Sequence, residues 1–247
     1  MLPRIPDVVD SDDQSITHRA YVQLRAALIS CRFKPGSRLK IAQLQRDFDI
    51  SQAAAREGLS RLAAEGLVTI ERNSGFRAVP LSADGYRELA DACLTIELPL
   101  LRSSIGRGDF AWEGSLLSAY HVSSRVLAQV GDDEISMDAY VRHREEFHRI
   151  LFSRCDNQWL LRAWSQLYAQ QMRFRHTFRE LARYERGLHK DYRAFLDAVI
   201  EHNVEHAITL WQENHDKVVA FIEANLGHAA ADKPTGRRSS ARKAASA

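Results

Sequence analysis

The chain has little that would tie it together covalently or hold it in a membrane. Three cysteines in 247 residues, Cys31, Cys93 and Cys155, are odd in number and widely spaced, so no disulfide framework is implied. No apolar run reaches membrane-spanning length. The first residues, MLPRIPDVVDSDDQ, are acidic and lack the apolar core of a signal peptide, so a cytoplasmic location is expected. The twelve glycines form no phosphate-cradling loop, and there is no nucleophile elbow and no paired-cysteine metal motif. Net charge is also scarce, at +2. That small sum hides a division, because residues 19–80 hold 11 Lys/Arg against 5 Asp/Glu, whereas residues 81–231 hold 17 against 22. A basic small unit joined to an acidic larger one suits a polyanionic partner for the first half only.

What the chain does have is concentrated in residues 39–79. A short apolar helix through Ile41, Leu44 and Phe48 is followed by a tight Asp49-Ile50-Ser51 turn. A second helix follows, with Leu59, Leu62 and Ala63 inward, and Glu65-Gly66 closes it. Two extended runs, 67–70 and 76–79, flank the turn-forming Arg72-Asn73-Ser74-Gly75. Helix, turn, helix and a two-stranded wing is a DNA-reading layout. Ser51 is placed to cap the second helix, and Gln52 and Arg56 project from its first turns.

This stretch resembles the winged helix of the GntR family of bacterial transcription regulators. The resemblance runs from Tyr21-Val22-Gln23-Leu24-Arg25 through Lys34-Pro35-Gly36-Ser37-Arg38-Leu39 and is strongest from Ser51 to Val68, which includes Ala55-Arg56-Glu57-Gly58-Leu59 and Glu65-Gly66-Leu67-Val68. Gln52 stands where many members carry arginine, Ala53-Ala54 replaces residues that usually bear hydroxyls, and Gln43 sits where some members place a contacting arginine. The resemblance implies a double-stranded DNA partner. The expected contacts are Lys40, Gln43, Ser51, Gln52, Arg56 and Arg61, with Arg72, Asn73, Ser74, Gly75 and Arg77 of the wing on the adjacent minor groove or backbone.

From Ser82 onward the apolar rhythm is helical, which predicts helices over residues 83–107, 112–130, 137–154, 158–180, 188–202 and 204–226. Breaks are expected around 106–109, 131–134 and 155–157, near Gly187 and at Asn203, and Pro99 is expected to kink the first helix. The fold class is therefore mainly α: an N-terminal winged helix-turn-helix and a C-terminal antiparallel all-α bundle. The expected division is a flexible segment 1–14, a DNA-binding domain 15–80, a helical domain 81–228, and a disordered basic tail 229–247 ending in KPTGRRSSARKAASA.

The second half resembles the C-terminal effector-binding FCD domain of FadR-type members, through Ile96-Glu97, Phe147-His148, Leu151, Asn157, Ala198-Val199 and Ala207. Its segment 155–175 is most similar to the branch that contains the carbon-starvation regulator of enteric bacteria. Many such domains hold a divalent metal on an aspartate, a histidine four residues later and two further histidines. Carried over residue by residue, those positions are Arg144, His148, Tyr192 and Asn214 here. Only His148 keeps a metal-ligating side chain, and a guanidinium has no lone pair to give. No metal cofactor is therefore expected, unless the neighbouring His143 or His215 rebuilds the site. The same four residues form the expected effector site, with Arg144 holding a carboxylate directly by its two-pronged donors. The alternative is a solvated Arg144 and a hydrogen-bonded core His148. Arg173 and Arg175, flanking Phe174, are expected at the surface or at an interface.

His202-Asn203-Val204-Glu205-His206 matches a zinc-peptidase pattern, but Asn203 is a helix cap that leaves His202 in the preceding turn, so the two histidines are read as exposed linker residues. The overall reading is a cytoplasmic, ligand-responsive homodimeric regulator, most often a repressor in this family, with a small organic acid as effector and no catalytic residues. The rivals are a metal-dependent or carboxylate-processing enzyme on the bundle, and an effector-blind architectural binder.

Overall fold

The structure is a computed structural model and describes residues 16–72, 75–131 and 134–231. The first domain consists of α1 (Ile16–Ile29), β1 (Arg38–Leu39), α2 (Ile41–Phe48), α3 (Gln52–Ala64), β2 (Val68–Glu71) and β3 (Gly75–Ala78). Ala20, Leu24 and Leu28 recur at helical spacing on α1 and meet Leu44, Leu59 and Leu62 in one core. Between α2 and α3 the chain turns through Asp49 in the left-handed region, at φ 52° and ψ 50°, a conformation that aspartate tolerates better than most residues. The Ser51 hydroxyl then accepts the Ala54 amide at 3.1 Å and starts α3. The sheet is antiparallel in the order β1-β3-β2, with Val68 opposite Ala78 and Ile70 opposite Phe76. The pattern predicted two strands, and the structure adds β1. Its two residues are too few to show an alternating pattern, but they pair with Arg77 and Phe76.

The second domain is helical: α4 (Ala83–Arg107), α5 (Phe110–Gln129), α6 (Glu134–Leu151), α7 (Gln158–Thr177), α8 (Arg179–Gly187), α9 (His189–Ile200) and α10 (Val204–Ala231). α4 has the predicted bounds, with Pro99 inside it. α5 starts earlier than predicted because Asp109 caps it, its carboxylate accepting the Trp112 amide at 2.8 Å. α6 also starts earlier than predicted, and it stops at Leu151, short of Arg154. The helix predicted to run to residue 180 ends at Thr177 and gives way to a separate α8, which the pattern did not reveal. α10 runs past residue 226 to Ala231, so residues 229–231 of the expected tail are helical. The remainder of that tail, the segment 1–14, and Asp132 and Asp133 of an expected break lie outside the described residues.

Leu100, Leu116, Phe147, Leu151, Phe195 and Val199 gather in the bundle core. Trp112, Trp164 and Trp211 are buried there, whereas Trp159 is 77% exposed. A second cluster, with Tyr86, Phe174, Leu181 and Ile222, closes the end of the bundle beneath α8. No helix among the described residues is long and apolar enough to cross a membrane.

Candidate functional site

On α3 the buried face carries Ala55, Leu59 and Leu62 into the core, which turns Gln52 and Arg56 outward and leaves both exposed. Lys40, the extended residue before α2, is exposed, and so is Gln43, whose amide donates to Asp47 at 3.4 Å. Ser51 is exposed, but its hydroxyl oxygen is engaged in the cap. Arg61 is exposed yet held against its own domain, its guanidinium 4.0 Å from the centre of the Tyr21 ring. The Tyr21 hydroxyl in turn donates to Glu65 at 2.6 Å.

Two wing residues are accounted for differently. Arg72 is exposed in the turn. Arg77 is tied into the wing itself, donating to Glu71 at 2.7 Å and to the Gly36 carbonyl at 2.6 Å. Gly75 has φ +86°, which only glycine adopts without strain, and it opens β3. Asn73 and Ser74 lie outside the described residues.

α7 joins the two domains. The Gln170 amide donates to the Glu65 carbonyl at 3.1 Å, at the end of α3, and Arg173 donates to the Val79 carbonyl just beyond β3. The Cys31 thiol donates to the Arg173 carbonyl at 3.4 Å. Arg173 is thus an interface group, although only 1% exposed. Arg175 corrects the surface expectation. Two residues along the helix it faces the opposite way and is 4% exposed in the bundle.

There it meets Arg144. Both guanidiniums reach the Glu185 carboxylate, Arg175 at 3.0 Å and Arg144 at 3.4 Å, and the Tyr140 hydroxyl donates to the same carboxylate. Arg144 also donates to the Tyr192 hydroxyl at 2.9 Å, and the Asn214 amide reaches that hydroxyl at 3.3 Å. Burial alone would raise the Glu185 carboxyl, but the charges of Arg144 and Arg175 hold it below the usual carboxylate range. Burial works against the Arg144 charge too, and Glu185 together with the Tyr140, Tyr192 and Tyr168 hydroxyls more than offsets it. Three of the four predicted effector residues therefore form one network. Arg144 is buried rather than solvated, and its carboxylate partner is supplied by the protein, a residue that sequence reasoning missed.

His148 behaves as the core histidine of the alternative reading. Its Nδ1 lies 2.7 Å from the Arg144 carbonyl, which can only accept, so Nδ1 carries the proton. The Tyr168 hydroxyl oxygen is 3.2 Å from the same nitrogen. Burial, and then the Arg144 charge, hold the imidazole well below its ordinary value, so it is neutral. These residues do not fit a divalent cation. Arg144 brings a positive charge to the position, and the Tyr192 hydroxyl and the Asn214 amide are engaged with each other. His143 lines a different groove, between α5 and α6, and His215 contacts Asp216 at 3.1 Å.

The zinc-peptidase pattern is dismantled in the same way. His202 sits in a turn at φ 55°, bound to the Ile105 carbonyl and Glu113, while Glu205 pairs with Arg102. Asn203 caps α10 by accepting the His206 amide at 3.2 Å.

The model for bacterial regulatory proteins of the gntR family matches residues 16–77, and the FCD domain model matches residues 88–217. One relative, described as an uncharacterized HTH-type transcriptional regulator BphR of Paraburkholderia xenovorans (strain LB400), is 29% identical over 210 residues, spanning 85% of this chain and 86% of its own. The HTH-type transcriptional repressor GlaR of Escherichia coli (strain K12) is 28% identical over 155 residues, 63% of this chain and 70% of its own. Among solved structures, E. coli McbR/YncC superposes with a TM-score of 0.72 at 18% identity, covering 85% of this chain and 98% of that one. A putative transcriptional regulator GntR from Rhodococcus sp. RHA1 gives 0.71 at 20% identity with the same coverage. At that identity the two structures establish the fold alone. The family models and the named relatives are regulators rather than enzymes, which sets the enzyme rival aside.

Proposed function

The chain belongs to the GntR family of bacterial regulatory proteins with an FCD domain as its second half, and from that premise we propose that this DNA-binding regulator is a cytoplasmic homodimeric repressor whose grip on a two-fold operator is modulated by a small carboxylate metabolite. The observation that carries the DNA-reading part is α3: a capped helix with its apolar face in the core and with Gln52 and Arg56 on its exposed face. A glutamine and an arginine on such a face suit adenine and guanine edges respectively. Dimerisation is proposed because one short helix reads too few base pairs for a unique address, and paired half-sites answer two-fold protein symmetry. The repressor sign is supported by the E. coli relative that bears that description.

The effector class rests on Arg144, a buried guanidinium beside a small cavity that Tyr140, Tyr192 and Glu185 also line. In this reading a carboxylate is held by the guanidinium directly, with Tyr192 and Asn214 fixing its orientation and no divalent ion taking part. The test is retardation of the protein's own upstream DNA at moderate salt, followed by a thermal-shift screen of small organic acids. The expected result is operator binding by a dimer in light scattering, weakened by an acid that also raises the melting temperature. Arg144→Ala should lose both responses and still bind DNA. A monomer with and without DNA, or an acid response that survives Arg144→Ala, would overturn the corresponding part.

A further inference from the structure

Two guanidiniums converge on one carboxylate beneath α8, and that carboxylate is the protein's own. Glu185 is 2% exposed and takes Arg175, Arg144 and the Tyr140 hydroxyl. The surrounding polar atoms are not all satisfied. Arg144 Nε, Arg175 Nε and Nη1, and Asn214 Oδ1 are buried without a hydrogen-bond partner among the described residues. Beside Glu185 lies a cavity of about 40 Å³, room for a few ordered waters or the head of a small acid. Through Tyr120, Ser124 and Leu127 it shares its wall with an outer groove of about 610 Å³, lined also by Arg125, Arg186 and Arg193. An anion approaching from solvent therefore meets a basic groove first and the paired guanidiniums after it.

Resting on the reading of Arg144 as an effector-binding group, we propose that the Glu185 carboxylate is a built-in competitor that occupies the effector's anion position, and that a carboxylate ligand entering by the groove replaces it and frees α8. The inner cavity admits the carboxylate of such a ligand, and its body lies in the groove. α8 is built to be released. It has nine residues, its N-terminus lacks a side-chain cap, and it is flanked by Phe178 (φ −108°, ψ 84°) and Leu188, both outside helical geometry. Its neighbouring Arg186 faces the groove and donates to the Val130 carbonyl at 3.1 Å, so the helix carries one end of the cavity and one wall of its entrance. A site filled from within binds ligand only in the fraction of molecules whose own carboxylate has left, and the apparent affinity falls by that fraction.

The test is chemical rescue in the full-length protein. Thermal unfolding of wild type, Glu185→Ala, Glu185→Gln and the Glu185→Ala/Arg144→Ala double variant is followed while sodium acetate or formate replaces sodium chloride at constant ionic strength. Glu185→Ala should melt lower than wild type and regain stability saturably. The acetate concentration needed should be about tenfold or more below that at which wild type responds. The double variant should lose the rescue. Glu185→Gln keeps the shape without the charge, shows the same direction, and serves if the alanine variant does not fold. If neither single variant gains sensitivity while wild type still responds to organic acids through Arg144, the competitor role is overturned and the effector reading stands. If rescue survives loss of Arg144, the competitor role is overturned and the effector reading falls with it. If no variant and no wild-type sample responds to any acid, both fall.

Discussion

Arg56 stands on the exposed face of α3 and keeps its hydration, whereas Arg144 is 8% exposed and depends on Glu185 for its charge. The first is therefore available to a partner and the second is committed until something replaces that carboxylate. Arg56→Ala should weaken specific operator binding by about 1–3 kcal/mol, the size of one good bidentate base contact. Gln52→Ala should change base preference more than affinity. Fluorescence anisotropy against matched operator variants measures both, and unchanged affinity in a folded Arg56 variant would remove that residue from the interface. His148 supplies a prediction in pH. The folded protein opposes its protonation, through burial first and then the Arg144 charge, while the unfolded chain takes up the proton near the ordinary value. Its contribution is thus complete above about pH 6.5 and is lost as the pH falls below it. The Tyr168 hydroxyl and the Trp211 ring, packed against it from α7 and α10, bring no charge that would reverse this. His148→Gln should flatten the fall of melting temperature between about pH 6.5 and 5, leaving a residual slope from His176, also held low by burial. Equal slopes in the two proteins would refute it.

At the scale of elements, α3 owes its exact end to Gly66, which sits at φ +72° with the Gln170 amide 3.6 Å from where a Cβ would be. Gly66→Ala should cost about 1–2 kcal/mol in urea unfolding, because the left-handed conformation crowds a Cβ, and a neutral result would show that the turn can be rebuilt. This helix was legible in the sequence because each of its signals is local: Ser51 at the start, Leu59 and Leu62 inward, Glu65-Gly66 at the end. The bounds of α4 and the Asn203 cap were legible for the same reason. α8 was not. The break at Phe178 carries no glycine, proline or capping side chain, so nothing local announces it. Nor does any spacing rule reveal that Arg144, Arg175 and Glu185, which stand on three different helices, are buried together. Charged residues read singly look solvated, and only the tertiary packing that brings opposite charges together makes their burial affordable.

In the whole molecule, α7 is the element shared by both functions. Arg173 and Gln170 hold the DNA-reading domain, and Arg175 on the other face holds Glu185. A change at the anion site is thus one helix away from the end of α3. Arg173→Ala should leave the acid-induced rise in melting temperature in place and reduce the ratio of operator affinities with and without acid toward one, a loss of the 1–3 kcal/mol or so typical of such coupling. An undiminished ratio would place the coupling elsewhere. Gln170 and Arg173 of α7 both reach main-chain carbonyls of the first domain, those of Glu65 and Val79, which every amino acid offers alike, and a further hydrogen bond of this joint comes from Cys31, just beyond α1. The joint is therefore blind to the letters of the recognition helix. Substitutions at Gln52 or Arg56 can redirect the protein to another operator without loosening the connection to its sensor, so a new address and an old stimulus can be combined in single mutational steps. Grafting a relative's recognition face onto this body should carry the regulation along with it.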